Sequence, residues 1–526
     1  MNTKLNLLFI IIFSVSITCN YATEKNSSLN KGTEKVGEYE NTQIYTVFMS
    51  PGGHFGTGGA PESLTTNQEL LLQIQTECNR IDFIVRDITN PAISIENVYH
   101  ELDSLKEYID GVLIIGELHG EYKLAFTGLP TIYVYNLFEW MNVPHKLFTT
   151  GEEEESILVG DTEYQKGKIL TAELDRRNVC SSSVREKMFE DLIYKIKLIQ
   201  TIRKLKESRI LVVAPHQYIA QVDYQGDRQK TFPENYNSLY TNTLKDKLGV
   251  ELVQVNPEEF YEMYKETSNK EAEKIAEKWI EEAQSVTAAK SEIIRTAKAY
   301  LAFEILRKKY NCNAVSTHMR SLTGSGKVND RFWPGLGLEC GFKTRGIQAI
   351  CQNYPNILVT QLLGYFLTGR PSMLGDLMID TRNSVAILTH CGAPINPYGE
   401  NGNRVPYSIT THAESPLRDT QDPGSATGLH IEWPVGEPVT FWKVYVMHNK
   451  IGVFTGKTVD GHLLYKNLDD IMCRTKLIAR IEAKPVQQHF SPDEYGIHRA
   501  ATLGDLREKI KDLSILIGFD VMETDK

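Results

Sequence analysis

The chain has 526 residues, 41% hydrophobic and 24% charged, which are globular proportions in a length that calls for roughly two to four domains. A net charge of -10 excludes a general nucleic-acid binder, because neutralising phosphates requires clustered Lys and Arg.

Lys4 is followed by an apolar run from Leu7 to Ile17, the length of a signal-peptide core and too short for a membrane span. Residues 1–22 are therefore expected to be a signal peptide, with export to a periplasmic or secreted location. Two endings stay open: cleavage after Ala22 in Asn20-Tyr21-Ala22, or a lipid anchor on Cys19. No later segment is apolar enough to span a membrane. Residues 23–40 are rich in Asn, Ser, Lys and Glu and read as a flexible linker.

Strand and helix then alternate over residues 41–180, with strands at Ile44 to Met49, Asp82 to Arg86, Gly111 to Gly116 and Thr131 to Tyr135, and helices at Thr66 to Cys78 and Glu96 to Tyr108. The loop SPGGHFGTGGAPES offers either a long glycine turn or an anion cradle that His54 could join; it is not a Walker motif, because no GK[ST] follows. The acidic run Glu152 to Glu155 reads as a solvated connection.

Residues 181–345 repeat the pattern. Helices are expected at Arg185 to Lys206, Lys270 to Ala283 and Ala288 to Tyr310, and strands at Arg209 to Ala214, Val250 to Val255 and Ala314 to Thr317. His216 follows Val-Ala-Pro at a strand's carboxyl end, where open α/β sheets bind ligands.

Residues 346–526 change texture after an apolar helix. Ile357, Leu358, Leu362, Leu363 and Phe366 recur at three- and four-residue intervals, so a helix is expected to about Leu367, stopped by Gly369 and Pro371. Gln352 and Asp376 fall in turn-like sequence just outside its two ends, where side chains can reach a cleft. Tyr407 to Thr411, Val439 to Met447, Gly452 to Gly456 and Leu477 to Ile481 look like strands of a small antiparallel sheet or barrel. A helix, Leu503 to Ile517, and a strand, Phe519 to Met522, close the chain. The fold class expected is α/β: two Rossmann-like α/β domains followed by a C-terminal domain with an antiparallel β-sheet or barrel.

Several side chains in this third part are site candidates. His390 and Cys391 are neighbours in a strand and should point to opposite faces, which argues against a Cys/His nucleophile pair; His390 then lines a cleft or supports it, and Cys391 is buried. Arg370 either contacts substrate or pairs with the helix C-terminus. Trp433 and Trp442 either stack on a ligand ring or fill the core, and Asp380 reads as a turn residue. Setting Cys19 aside, the other cysteines form no CxxC pair, so neither a disulfide framework nor a zinc motif is expected, and the thiols read as buried and free.

Taken together, Gly346, Ile347, Ala349 and Cys351, then Thr368 to Pro371, Gly375-Asp376 and His390 to Pro394 resemble the L-fucose isomerase and L-arabinose isomerase superfamily, in particular its fucose-isomerase-like proteins. His498 followed by Gly504-Asp505 is similar to the end of such proteins. The resemblance implies a divalent metal, usually manganese, held by a glutamate, an aspartate and a histidine. Asp376 matches the aspartate and His498 the histidine, while Gln352 stands in the glutamate's place. A glutamine can offer a neutral oxygen but cannot serve as a base.

Glu339, in Gly337-Leu338-Glu339-Cys340-Gly341, is the candidate replacement carboxylate if its loop covers the same cleft. His412 matches a histidine near the family's ligand cleft and is expected either at the sugar or as a bonded loop histidine. The activity implied is aldose-ketose isomerisation of a free monosaccharide such as a deoxyhexose or pentose, in a homo-oligomer (trimer or hexamer). The alternative is a non-catalytic carbohydrate-binding or repurposed relative.

Overall fold

A computed structural model describes residues 39–49, 65–118, 121–137, 156–159, 162–165, 167–214, 235–318, 333–413, 426–470, 472–489 and 496–526. The expected signal segment, Cys19, the glycine loop with His54, the run 152–155 and His216 lie outside them.

The first sheet is built from β1 (Thr42–Phe48), β2 (Ile81–Asp87), β3 (Gly111–Ile115), β4 (Thr131–Asn136) and β7 (Ile169–Leu174), in the order β2-β1-β3-β4-β7. All its pairings are parallel. Helices α1 (Asn67–Glu77) and α2 (Ile95–Leu105) connect its early strands, and a hairpin, β5 (Ser156–Val159) and β6 (Thr162–Gln165), precedes β7. Continuous runs such as Val112–Ile115 suit central parallel strands, which are covered on both faces. The start of α1 is written locally: Thr66 and Glu69 form a capping box.

The second sheet follows α3 (Ser182–Lys206). Its strands β8 (Arg209–Val213), β9 (Glu251–Val255), β11 (Ala314–Thr317) and β12 (Gln348–Ile350) run parallel in the order β12-β11-β8-β9. Between them lie α4 (Tyr236–Leu248), α5 (Pro257–Glu266), α6 (Asn269–Glu282), the short β10 (Ser285–Val286) and α7 (Lys290–Lys309).

The last part holds α8 (Pro355–Thr368), β13 (Met373–Asp380), β14 (Val385–His390), β15 (Tyr407–Thr411), β16 (Thr427–Ile431), β17 (Pro438–Tyr445), β18 (Lys450–Thr458), β19 (Thr475–Arg480), α9 (Ala483–His489), β20 (His498–Leu503), α10 (Arg507–Ile517) and β21 (Asp520–Glu523). Six strands pair antiparallel in the order β17-β20-β13-β14-β19-β18, and β18 pairs back to β17, so the ring closes into a barrel. β21 adds to β18 in parallel, while β10, β15 and β16 make a separate small sheet.

Alternation gives each barrel strand two roles. Leu377, Phe441 and Ala501 on one face belong to one core. Leu374, Trp442 and Ala500 on the other join the core of α8, with Ile357, Leu358 and Leu362. Trp442 is thus core, its indole N–H donating to Thr502 Oγ1 at 3.1 Å.

Two expectations are corrected here. Gly375 and Asp376 are not a turn: they sit inside β13, because pairing with β14 and β20 on both sides overrides their local preference. The helix expected from Leu503 begins only at Arg507, because residues 498–503 form β20. Among the described residues, no helix is long and apolar enough to cross a membrane.

Candidate functional site between the second sheet and the barrel

β12 ends at Ile350, and the chain turns through Cys351, Gln352, Asn353 and Tyr354 before Pro355 opens α8. Pro at a first helical position loses no hydrogen bond, which makes this abrupt start inexpensive. The turn is held by Ser316 Oγ donating to Asn353 Oδ1 at 2.8 Å and by Tyr354 N donating to the Gln352 carbonyl at 2.9 Å. Gly346 opens the segment with φ 75°, and a Cβ there would collide with the Tyr365 hydroxyl.

Opposite this turn, Asp376 of β13 is paired in register with His498 of β20. Paired residues share a face, and His498 Nε2 lies 2.7 Å from Asp376 Oδ1. The ring of Tyr354 packs on that of His498 with centroids 3.8 Å apart. Burial works to raise the Asp376 carboxyl, but the hydrogen bond from His498 and the nearby imidazoles outweigh it, so Asp376 stays below the usual carboxylate range. Burial also lowers His498 despite the pull of Asp376. The pair is therefore a neutral imidazole on an ionised carboxylate at neutral pH.

Gln352 sits between two residues that touch the histidines: Cys351 lies 3.9 Å from His390, and Tyr354 stacks on His498. The Gln352 Oε1 is a buried acceptor without a hydrogen-bond partner among the described residues. Asp376 and His498 offer an ionised carboxylate and a neutral imidazole, donor types that fit a divalent cation of the manganese class, while the amide oxygen of Gln352, in the turn that carries Tyr354, is neutral and brings no second negative charge.

Glu339 is not on an exposed loop. It lies in a π-helical turn, Gly337–Phe342, and is buried, with its carboxylate 3.0 Å from the ammonium of Lys343, itself 0% exposed. Lys343 also donates to the Ser372 carbonyl at 3.0 Å. Burial pushes the Glu339 carboxyl up against the pull of Lys343. Gly392 leaves room for it, since a Cβ there would come within 2.9 Å of Glu339 Cγ.

His390 and Cys391 do not diverge as strand neighbours would. β14 ends at His390, so Cys391 lies past the alternation, and its sulfur is 3.4 Å from His390 Nδ1 and 3.4 Å from Cys351 Sγ. Cys351, His390 and Cys391 thus converge as a buried group whose ligand atoms lie within 4.8 Å of one another. Burial works against charge on His390, but Cys391, Asp376 and Glu339 together raise its pKa. The hydrogen bond with Cys351 and burial push the Cys391 thiol far up.

Two candidates stand elsewhere. His412 is buried at the end of β15, its ring stacked on Trp333 at 3.8 Å between centroids. Arg370 donates from Nη1 to the Leu503 carbonyl at 2.9 Å, five residues along β20 from His498, and so ties the end of α8 to the barrel. Asp380, as expected, organises a turn, accepting from the amides of Arg382 and Asn383. On the opposite face of β13 and β20, Leu377 and Arg499 line a separate cavity of about 250 Å³.

Sequence reasoning passed over Tyr354, Lys343 and the convergence of the two cysteines. Lys343 had a signal, its four-residue spacing from Glu339 on a helical turn. The cysteines had none, since their proximity depends on how β12 meets β14.

Against known proteins, the chain matches no protein-family description, and no curated protein is similar to it in sequence.

Proposed function

We propose that the chain handles a free monosaccharide at the Gln352, Asp376 and His498 site and is an aldose-ketose isomerase of the L-fucose/L-arabinose isomerase type. On this reading residues 41–180 and 181–345 are Rossmann-like domains and 346–526 the isomerase-like domain, exported and assembled as a trimer or hexamer. The observation that carries it is the contact of half-buried Asp376 with buried His498 at 2.7 Å, the His498 ring being covered by Tyr354 of the turn that also holds Gln352. Asp376 and His498 are two of the three positions that the sequence resemblance marks, and they come from strands far apart in the chain.

Asp376, His498 and Gln352 would hold a manganese-class cation, which supplies polarisation of the sugar's carbonyl and neighbouring hydroxyl. The chain's own groups supply the rest. Asp376 is ionised and takes the proton from the carbon next to the carbonyl, then returns it to the former carbonyl carbon, while the hydroxyl proton of the first carbon passes to the former carbonyl oxygen through the ene-diol. His498 fixes the Asp376 carboxylate, and Tyr354 walls the pair from one side. Gln352 orients through its amide and moves no proton.

One observation favours a second reading, sugar binding without turnover. Glu339, the other carboxylate nearby, is committed to Lys343. Among the described residues, no second carboxylate forms a ligand-sized group with Asp376 and His498.

The test gives the purified chain Mn²⁺ and a panel of free aldopentoses and deoxyhexoses. Ketose formation that depends on Asp376 is the expected result. Sugar binding by calorimetry without ketose establishes the second reading, and absence of both metal and sugar binding sinks the proposal.

A further inference from the structure

We infer that Cys351, His390 and Cys391 form a zinc site, distinct in donor chemistry from the neighbouring oxygen-rich site. The triangle of donor atoms has edges of 3.4 Å from sulfur to sulfur, 3.4 Å from Cys391 Sγ to His390 Nδ1 and 3.9 Å from Cys351 Sγ to the same nitrogen. Tetrahedral zinc with Zn–S near 2.3 Å and Zn–N near 2.0–2.1 Å has ligand-to-ligand edges of about 3.6–3.8 Å. The cluster needs shifts of only a few tenths of an ångström to reach them.

The donors are also of the right kind. Two thiolates and an imidazole are a soft set that selects zinc over manganese, whereas the carboxylate and amide oxygens next door select the reverse. All three residues are buried, at 3% to 6% exposure. Two thiolates balance the charge of Zn²⁺, so the filled site adds no net charge to the interior. Binding is written as two thiols plus Zn²⁺ giving the dithiolate complex and two protons released to solvent. No electron moves.

The ligands are held from independent elements before any metal arrives. Cys351 follows β12 in the second sheet, His390 ends β14 of the barrel, and Cys391 comes directly after it. The Cys391 carbonyl is fixed by the amide of Leu429 at 3.1 Å. Gly335 faces the Cys391 sulfur with no side chain, where a Cβ would stand 3.5 Å away. With three protein ligands, the fourth coordination position goes to water or another small donor.

The full-length chain, purified in reductant and stripped with chelator, is titrated with Zn²⁺ and separately with Co²⁺ as an optical probe. The expected outcome is one zinc per chain and a cobalt complex with near-ultraviolet thiolate charge-transfer bands, readable on the unmodified protein. Cys351→Ser and Cys391→Ser should each weaken zinc binding by at least about 100-fold. Cys78→Ser, a buried cysteine of the first part of the chain, should leave it unchanged. Circular dichroism checks that each variant folds. Three results overturn the inference: no zinc bound by the reduced chain, cobalt bands lacking the sulfur signature, or loss of two thiols to a reducible disulfide in protein that takes no metal.

Discussion

Residues 351 and 352 are neighbours in sequence and serve opposite chemistries. Cys351 joins His390 and Cys391 in a group of sulfur and nitrogen, while Gln352 leads through Tyr354 to the oxygen and nitrogen of Asp376 and His498. The first group is buried and contains two protonatable thiols, whereas the second centres on a half-buried carboxylate in contact with His498. One turn can therefore carry a soft donor and a hard donor on adjacent residues.

The comparison is broken most forcefully at the buried charges. Lys343→Met leaves Glu339 without its partner in the core, and should cost about 3 kcal/mol in urea unfolding, with most of the loss recovered in the Lys343→Met, Glu339→Gln double variant. An undiminished midpoint in the single variant would show that the pair contributes nothing. His498→Ala should cost about 2 kcal/mol by removing the partner of Asp376 and should abolish Mn²⁺ binding while sparing zinc. Parallel loss of both metals would mean that the two groups are one site.

Smaller effects sharpen the same contrast. Gln352→Glu places a carboxylate where an amide oxygen stands unclaimed, and should raise Mn²⁺ affinity about 10-fold, roughly 1.4 kcal/mol by calorimetry. Unchanged affinity would remove Gln352 from the site.

The smallest effect lies at the end of β13. Hydrogen bonds from Tyr465 and from Asn383 hold the Asp380 carboxyl down to about 2. Its folded value is below its unfolded one, so its contribution is complete above about pH 4 and disappears as the pH falls toward 2. Asp380→Asn should flatten the acid limb of the thermal midpoint between those values, with the donor groups at Asp376 serving as the unaffected reference at neutral pH.

How much was legible follows from which forces were local. Apolar runs such as Val112–Ile115 announce buried strands, and the spacing of Ile357, Leu358, Leu362 and Leu363 announces α8. That helix proves buried even at its polar positions: Gln361 donates to the Ser372 carbonyl and Asn356 accepts from Tyr240. β20 was hidden, because His-Arg-Ala-Ala-Thr-Leu has little strand preference and is extended only through its partners β13 and β17. α4 was missed as well, since its buried face is made of Tyr236, Tyr240, Leu244 and Leu248 in an otherwise polar stretch.

At the candidate site, the sequence resemblance names Asp376, Gln352 and His498 as positions. The bond between Asp376 and His498 was not legible, nor was the burial of Glu339, because each depends on contacts between segments far apart. The alternation rule applied to His390 and Cys391 failed for a definable reason: the strand stops one residue before the second of them.

The ring of six strands carries a temporal implication. β20 sits between β17 and β13, so the barrel stays open, and Asp376 lacks its partner, until residue 498 and its strand are in place. During synthesis, the earlier α/β parts can emerge and collapse first, while the histidine that completes the pair arrives with the last strand of the ring in chain order. Ribosome-stalled chains ending before β20 should thus hold folded parallel sheets alongside an incomplete barrel.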